Sequence, residues 1–124
     1  MSPRSEELMV GARDRLGAAR AALDAGFYSN AASAAYYAML YAARAALSEE
    51  ERNAKTHAGT WALFRERFVV TGRFDVGLFS DAHVVQQLRE AADYDALMVP
   101  SEEAERIIDL VGRFVAAVAA VIGA

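Results

Sequence analysis

Residues 29–48 read SNAASAAYYAMLYAARAALS, and nine of these twenty positions are alanine. Alanine has the highest helix propensity of any residue, and its small side chain lets neighbouring backbones come close. The stretch therefore predicts a helix over about 29–48 that lies at the centre of a helical protein and is contacted on several sides. Tyr36, Tyr37 and Tyr41 stand out against the alanines.

The flanking segments carry the same helical signature. Upstream, Leu8, Ala12, Leu16, Ala19 and Leu23 recur at three- and four-residue spacing, which predicts a first helix from about Ser5 to Ala25, ended by Gly26. Downstream, the acidic Glu49-Glu50-Glu51 run and residues 52–55 form a connection, after which Thr56 can cap a third helix. Trp61, Phe64 and Phe68 share one face of it, and Thr71-Gly72 closes it. A fourth helix starts at Asp75 or Asp81 and runs to about Ala96, with Val85, Leu88 and Ala92 inward and a break near Phe79-Ser80 left open. Pro100-Ser101-Glu102-Glu103 announces a fifth, with serine at the cap and two acids near the positive end of the helix dipole. On it Ile107, Val111, Phe114, Val118 and Val121 make a stripe that Ile108, Val115 and Ile122 widen. With no strand-like alternation, repeat or linker, the reading is all-α, one domain over 1–124.

Composition narrows the function. A hydrophobic share of 55% supports a buried core. Cysteine is absent, which excludes disulfides, thiolate metal ligands and cysteine nucleophiles and suits a cytoplasmic protein. The first residues do not read as a signal peptide, and the apolar run from Phe114 to Ala124 is shorter than the roughly 20 residues a spanning helix needs. The net charge of −4 argues against coating nucleic acid by bulk attraction. Charge is nevertheless uneven: Arg52, Lys55, Arg65, Arg67 and Arg73 stand against Glu66 alone between 52 and 73. Such a run either faces an anion or is simply a solvated helix face.

No glycine-rich phosphate loop is present, nor a His pair spaced for zinc, so neither a metal nor a cofactor is expected. His83 falls on the fourth helix, where a structural or surface role is the ordinary one. His57 follows Arg52-Asn53-Ala54-Lys55-Thr56 at a helix start, where two cations and unpaired backbone N–H groups would favour a phosphate or carboxylate. The plainer alternative is that Thr56 caps and His57 packs. Arg89 and Asp93 are four residues apart on one helix face, either as a local ion pair or as an anion clamp with an orienting carboxylate.

Four ordered motifs carry a family resemblance: Gly26 to Ala32 (GFYSNAA) leading into Ala35-Tyr36-Tyr37-Ala38-Met39, then Lys55-Thr56-His57, then Phe64 to Gly72 (FRERFVVTG), then Arg89 to Asp95 (REAADYD). Together they resemble the HEPN domains, in the branch with an alanine-tyrosine-tyrosine second helix. The resemblance implies an up-down bundle of four to five helices that dimerises and works beside a nucleotidyltransferase-like partner, as a toxin–antitoxin component or a nucleotide- or RNA-binding module. It points to Lys55, Arg89, Asp93, Tyr94 and Tyr37 as anion-binding residues. Ribonuclease members resemble one another in a late Arg-x(4–6)-His motif, often followed by tyrosine, in a cleft between protomers. Here the late segment reads Arg89, three residues, Asp93, Tyr94, without the histidine. A carboxylate with an ordinary pKa near 3.9, beside an arginine, is a poor base at neutral pH. His57 with Arg52 is the remaining catalytic pair. Metal-independent ribonuclease activity is thus the alternative to the binding module, and a purely structural adaptor is the third reading.

Overall fold

A computed structural model describes the backbone of residues 1–95 and 98–123, and the side chains of all of these except 90–95. Five α-helices follow in order: α1 (Pro3–Asp24), α2 (Tyr28–Glu49), α3 (His57–Phe64), α4 (Val76–Asp95) and α5 (Ser101–Ile122). A single π-helical turn, Arg65–Val69, continues α3. There is no strand among the described residues, so the all-α reading holds.

Helices α1 and α2 form an antiparallel hairpin. Ser2 caps α1, its Oγ accepting from the Ser5 N–H at 3.1 Å, and Pro3 takes the first turn, where its missing N–H costs nothing. The far end of α2 closes on this cap: Ser2 N and Ser5 Oγ donate to Glu49 Oε2 at 2.9 and 2.7 Å. Midway along, the Arg15 guanidinium lies 4.1 Å from the centroid of the Tyr41 ring and donates to its hydroxyl. Gly26, at φ +84°, makes the reversal, a conformation glycine adopts without steric penalty.

Helix α2 packs against all four of the others, as its alanine content predicts. Ala31, Ala35, Ala38, Ala42, Ala43, Ala45 and Ala46 are wholly buried. Beside it lies an aromatic cluster centred on Phe64, whose ring centroid is 5.1–6.5 Å from those of Trp61, Phe68, Phe74, Phe79 and Phe114. The Trp61–Phe64–Phe68 face is buried within the chain, with Phe79 of α4 and Phe114 of α5 packed on it.

Helix α4 resolves the open boundary in favour of Asp75, whose Oδ2 accepts from Leu78 N at 2.7 Å; the helix then runs through Phe79-Ser80 without a break. Phe79, Ala82 and Val85 carry its buried face. Leu88 points outward instead of inward, 41% exposed, because it continues the neighbouring row with Val84. The Ala92 side chain and Ala96 lie outside the described residues. At α5 the capping position is held by Pro100, whose carbonyl accepts from Ala104 N at 3.0 Å, and Ser101 is the first helical residue. The expected serine cap is therefore displaced by one residue. Ile107, Ile108, Val111, Phe114, Val115 and Val118 are buried, while Val121 and Ile122 are half-buried at the end.

Candidate functional site

Where α3 and α4 meet α2, three helices bring polar side chains to one place. Ser33, Tyr36 and Tyr37 are three and four residues apart on α2 and so share a face. Arg89 reaches them from α4: its Nε donates to Ser33 Oγ at 3.1 Å and its Nη2 to the Tyr37 hydroxyl at 3.4 Å. The guanidinium carbon stands 5.3 and 5.6 Å from the Tyr37 and Tyr36 ring centroids. His57, at the start of α3, places Nδ1 3.3 Å from the Tyr36 hydroxyl, and its ring centroid lies 5.9 Å from each tyrosine ring. Tyr36 is buried and forms the floor; Tyr37 and Arg89 are half-buried; His57 is exposed. An imidazole and a guanidinium thus share one aromatic platform that solvent reaches.

Local structure sets these positions. Thr56 is extended, at φ −112° and ψ 159°, and its Oγ1 accepts from Gly59 N at 2.9 Å, which makes His57 the first residue of α3. Between the Tyr36 hydroxyl and His57 Nδ1, either atom can be the donor, so this contact couples the tautomer of the ring to the tyrosine. The guanidinium is planar, permanently charged and shaped for phosphate or carboxylate.

Arg52 and Lys55 are placed elsewhere. They line a cavity of about 540 Å³ between the start of α1 and the end of α2, together with Arg4 and Arg44. The structure therefore divides the candidates, joining His57 to Tyr37 and Arg89 and leaving Arg52 and Lys55 to line the cavity. The side chains of Asp93 and Tyr94 lie outside the described residues, and with them the expected Arg89–Asp93 contact. Ser33 and Tyr36 were not singled out as site residues from sequence, although the Ser-x-x-Tyr-Tyr spacing on one face was a usable signal. His83 is on α4 in a separate furrow with Trp61 and Arg65.

The basic stretch from 52 to 73 is partly a brace. Arg67 Nε and Arg73 Nη1 both donate to Glu50, and Arg73 also lies over the Phe68 ring at 4.4 Å. The Arg67 hydrogen bond, helped by Arg73 and opposed by partial burial, holds the Glu50 carboxyl below its ordinary range. Among the described residues no group of three or more His, Cys, Asp or Glu side chains is placed to hold a metal ion, and no helix is long and apolar enough to cross a membrane.

The family model for the HEPN domain matches residues 5–121. Three relatives are similar over most of their length. A Methanocaldococcus jannaschii protein named "Putative toxin MJ0142" is 36% identical over 104 residues, which is 83% of this chain and 71% of that protein. The "UPF0332 protein glr0978" of Gloeobacter violaceus is 34% identical over 76% of this chain and 75% of its own. A second M. jannaschii protein, "Putative toxin MJ0605", is 34% identical over 78% and 72%.

Proposed function

This chain belongs to the HEPN domain family, and from that premise we propose that it is the toxin-side module of a toxin–antitoxin pair, binding RNA through a phosphate held on Arg89. The observation that carries the proposal is the convergence of Arg89 and His57 on the Tyr36–Tyr37 platform. A guanidinium supplies charge and a planar fork of donors to a phosphodiester, and the half-buried Tyr37 ring beside it offers an aromatic surface on which a base can stack. The toxin role draws on the names of the two M. jannaschii relatives. A nucleotidyltransferase-like protein as the partner and a homodimer as the working form draw on the resemblance of the four motifs.

A second reading is metal-independent RNA cleavage, favoured by the meeting of His57 and Arg89 on the Tyr36–Tyr37 platform, which sets beside Arg89 of the late segment the histidine that this segment lacks in sequence. His57 would take the proton of a ribose 2′-OH, the 2′-oxygen would bond to phosphorus, and the bond to the 5′-oxygen would break. That leaves a 2′,3′-cyclic phosphate and a 5′-OH that takes its proton from water, with Arg89 stabilising the charge that builds on the phosphoryl oxygens. Binding ranks first because, among the described residues, a single imidazole serves the cluster: His83 stands in the other furrow, and protonation of the leaving oxygen is left to solvent.

The test incubates the purified chain with mixed-sequence single-stranded RNA in EDTA, alongside His57→Ala and Arg89→Ala. The expected result is binding without robust cleavage, weakened about tenfold or more by Arg89→Ala, as loss of charge-assisted hydrogen bonds implies. Parent protein that does not bind RNA would remove the proposal. Robust cleavage that His57→Ala abolishes would put the nuclease first.

A further inference from the structure

The cavity between the start of α1 and the end of α2 gathers cations that the sequence scatters. Arg4 comes from α1, Arg44 from α2, and Arg52 and Lys55 from the connection. Read linearly, the run Glu49-Glu50-Glu51 should neutralise them. The fold diverts two of the three acids. Glu49 is occupied by Ser2 N and Ser5 Oγ, and Glu50 by Arg67 and Arg73. Glu51 is the acid that lines the cavity, and it does so at φ +56°, the left-handed conformation in which the chain turns out of α2.

Four cations therefore face one carboxylate in a concave space of about 540 Å³. Two of the cations are engaged elsewhere: Arg44 Nε donates to Thr60 Oγ1 at 3.4 Å, and Arg4 lies 3.4 Å from Glu7 at the exposed surface. The side chains of Arg52 and Lys55 make no hydrogen bond or ion pair among the described residues, and both are exposed. A concave surface with a strong excess of one charge concentrates the opposite charge. Proximity selects the ligand. Lys55 is two residues from His57, a reach of at most about 7 Å along the chain. His57 in turn shares the Tyr36–Tyr37 platform with Arg89, so the start of α3 links the cavity rim to the Arg89 site.

We propose that this cavity is a second phosphate subsite, in which Arg52 and Lys55, backed by Arg4 and Arg44, hold the nucleotides next to the one on Arg89. The subsite rests on the RNA reading of the Arg89 site. It gives a continuous path for single-stranded RNA across the connection that carries Thr56 and His57. Basic grooves that follow the backbone in this way bind strands with little sequence preference and strong salt dependence.

The test measures binding of a labelled single-stranded RNA, long enough to span both sites, across a salt series in EDTA. It compares the full chain with Arg52→Gln/Lys55→Gln and with Arg89→Ala; because Arg52 and Lys55 are exposed, folding is not at risk in the first variant. We expect the double variant to bind about tenfold more weakly or worse. Its slope of log K against log salt should be shallower by about 0.7 for each phosphate that is no longer neutralised. Unchanged affinity and slope in the double variant, with Arg89→Ala weakened, would overturn the subsite and leave the Arg89 reading standing. A weakened double variant beside an unaffected Arg89→Ala would keep the cavity as an RNA site and sink the Arg89 reading. If RNA binding is untouched in the double variant but binding of poly-glutamate disappears, the cavity is a protein-docking site and the proposal is wrong.

Discussion

Thr56→Ala should cost the protein about 1 kcal/mol, the usual value of a side-chain cap, because Oγ1 accepts from Gly59 N at 2.9 Å and removal leaves that N–H without its partner. The same contact makes a sharper test through Gly59. A Cβ built there would stand 2.9 Å from Thr56 Oγ1, closer than real Cβ atoms come, with the Ala54 Cβ at 3.4 Å. Gly59→Ala alone must push the hydroxyl out of its capping position, losing about 1 kcal/mol, while alanine in place of glycine returns about 0.8–1.0 kcal/mol. The two nearly cancel. In the Thr56→Ala background the hydroxyl is gone, only the helix-propensity gain remains, and Gly59→Ala should stabilise by close to its full amount. The cycle therefore predicts a coupling of about 1 kcal/mol. Urea denaturation resolves it, since with a slope near 2 kcal/mol per molar each kcal/mol moves the midpoint by about 0.5 M. Additivity of the two substitutions within about 0.3–0.5 kcal/mol would refute the cap as the device that fixes the start of α3 and hence His57.

Acid should loosen the α1–α2 hairpin and the Glu50 brace. Glu49 is held below the ordinary glutamate value of 4.5, first by the Ser2 N–H and then by the Ser5 hydroxyl, and Glu50 is lowered mainly by Arg67. Both folded values lie below the unfolded one, so their contribution is complete above pH 4.5 and is lost as pH falls through the folded values. Thermal midpoints should fall on acidification in the parent and fall less steeply in Glu49→Gln/Glu50→Gln; parallel curves would count against the assignment. Sedimentation at micromolar concentration should show a dimer, and Leu88→Asp should shift it to monomer. Val84 and Leu88, 52% and 41% exposed one turn apart on α4, are large apolar residues beside Arg89. A monomeric parent protein would remove the homodimer.

The fold was legible where one residue type sets the local energetics. Alanine over 29–48, Gly26 at the reversal and Thr56 before α3 each have a local cause, and each predicted helix is found. Legibility ended where tertiary partners decide. Periodicity shows that Trp61, Phe64 and Phe68 form an apolar face but not whether a second chain or Phe79 and Phe114 cover it. The inward placement of Leu88 failed for a related reason: on α4 the rows through Phe79-Ala82-Val85 and through Val84-Leu88 are both apolar, and only packing chooses between them. The π-helical turn Arg65–Val69 left no mark in propensity. In the candidate site, His57, Tyr37 and Arg89 were visible as separate signals. Their meeting was not, because it depends on how α3 and α4 both dock on α2.

That docking links the composition of α2 to the chemistry it carries. Two helices can bring an imidazole and a guanidinium onto the same pair of tyrosines only if both approach α2 closely within little more than one turn of it. The residues flanking the pair are Ala31, Ala32, Ala34, Ala35 and Ala38, of which Ala31, Ala35 and Ala38 have no exposed surface. Ala31, Ala35 and Ala38 stand about half a turn round α2 from Ser33, Tyr36 and Tyr37, so they pack on the side of the helix away from the site. The buried alanines therefore seat α2 in the bundle from one side, while Ser33, Tyr36 and Tyr37 present the site from the other. An Arg–His search along the chain looks for two residues on one short segment. Here the spacing that matters is across α2, where Tyr36 touches His57 Nδ1 with its hydroxyl and meets the Arg89 guanidinium with its ring.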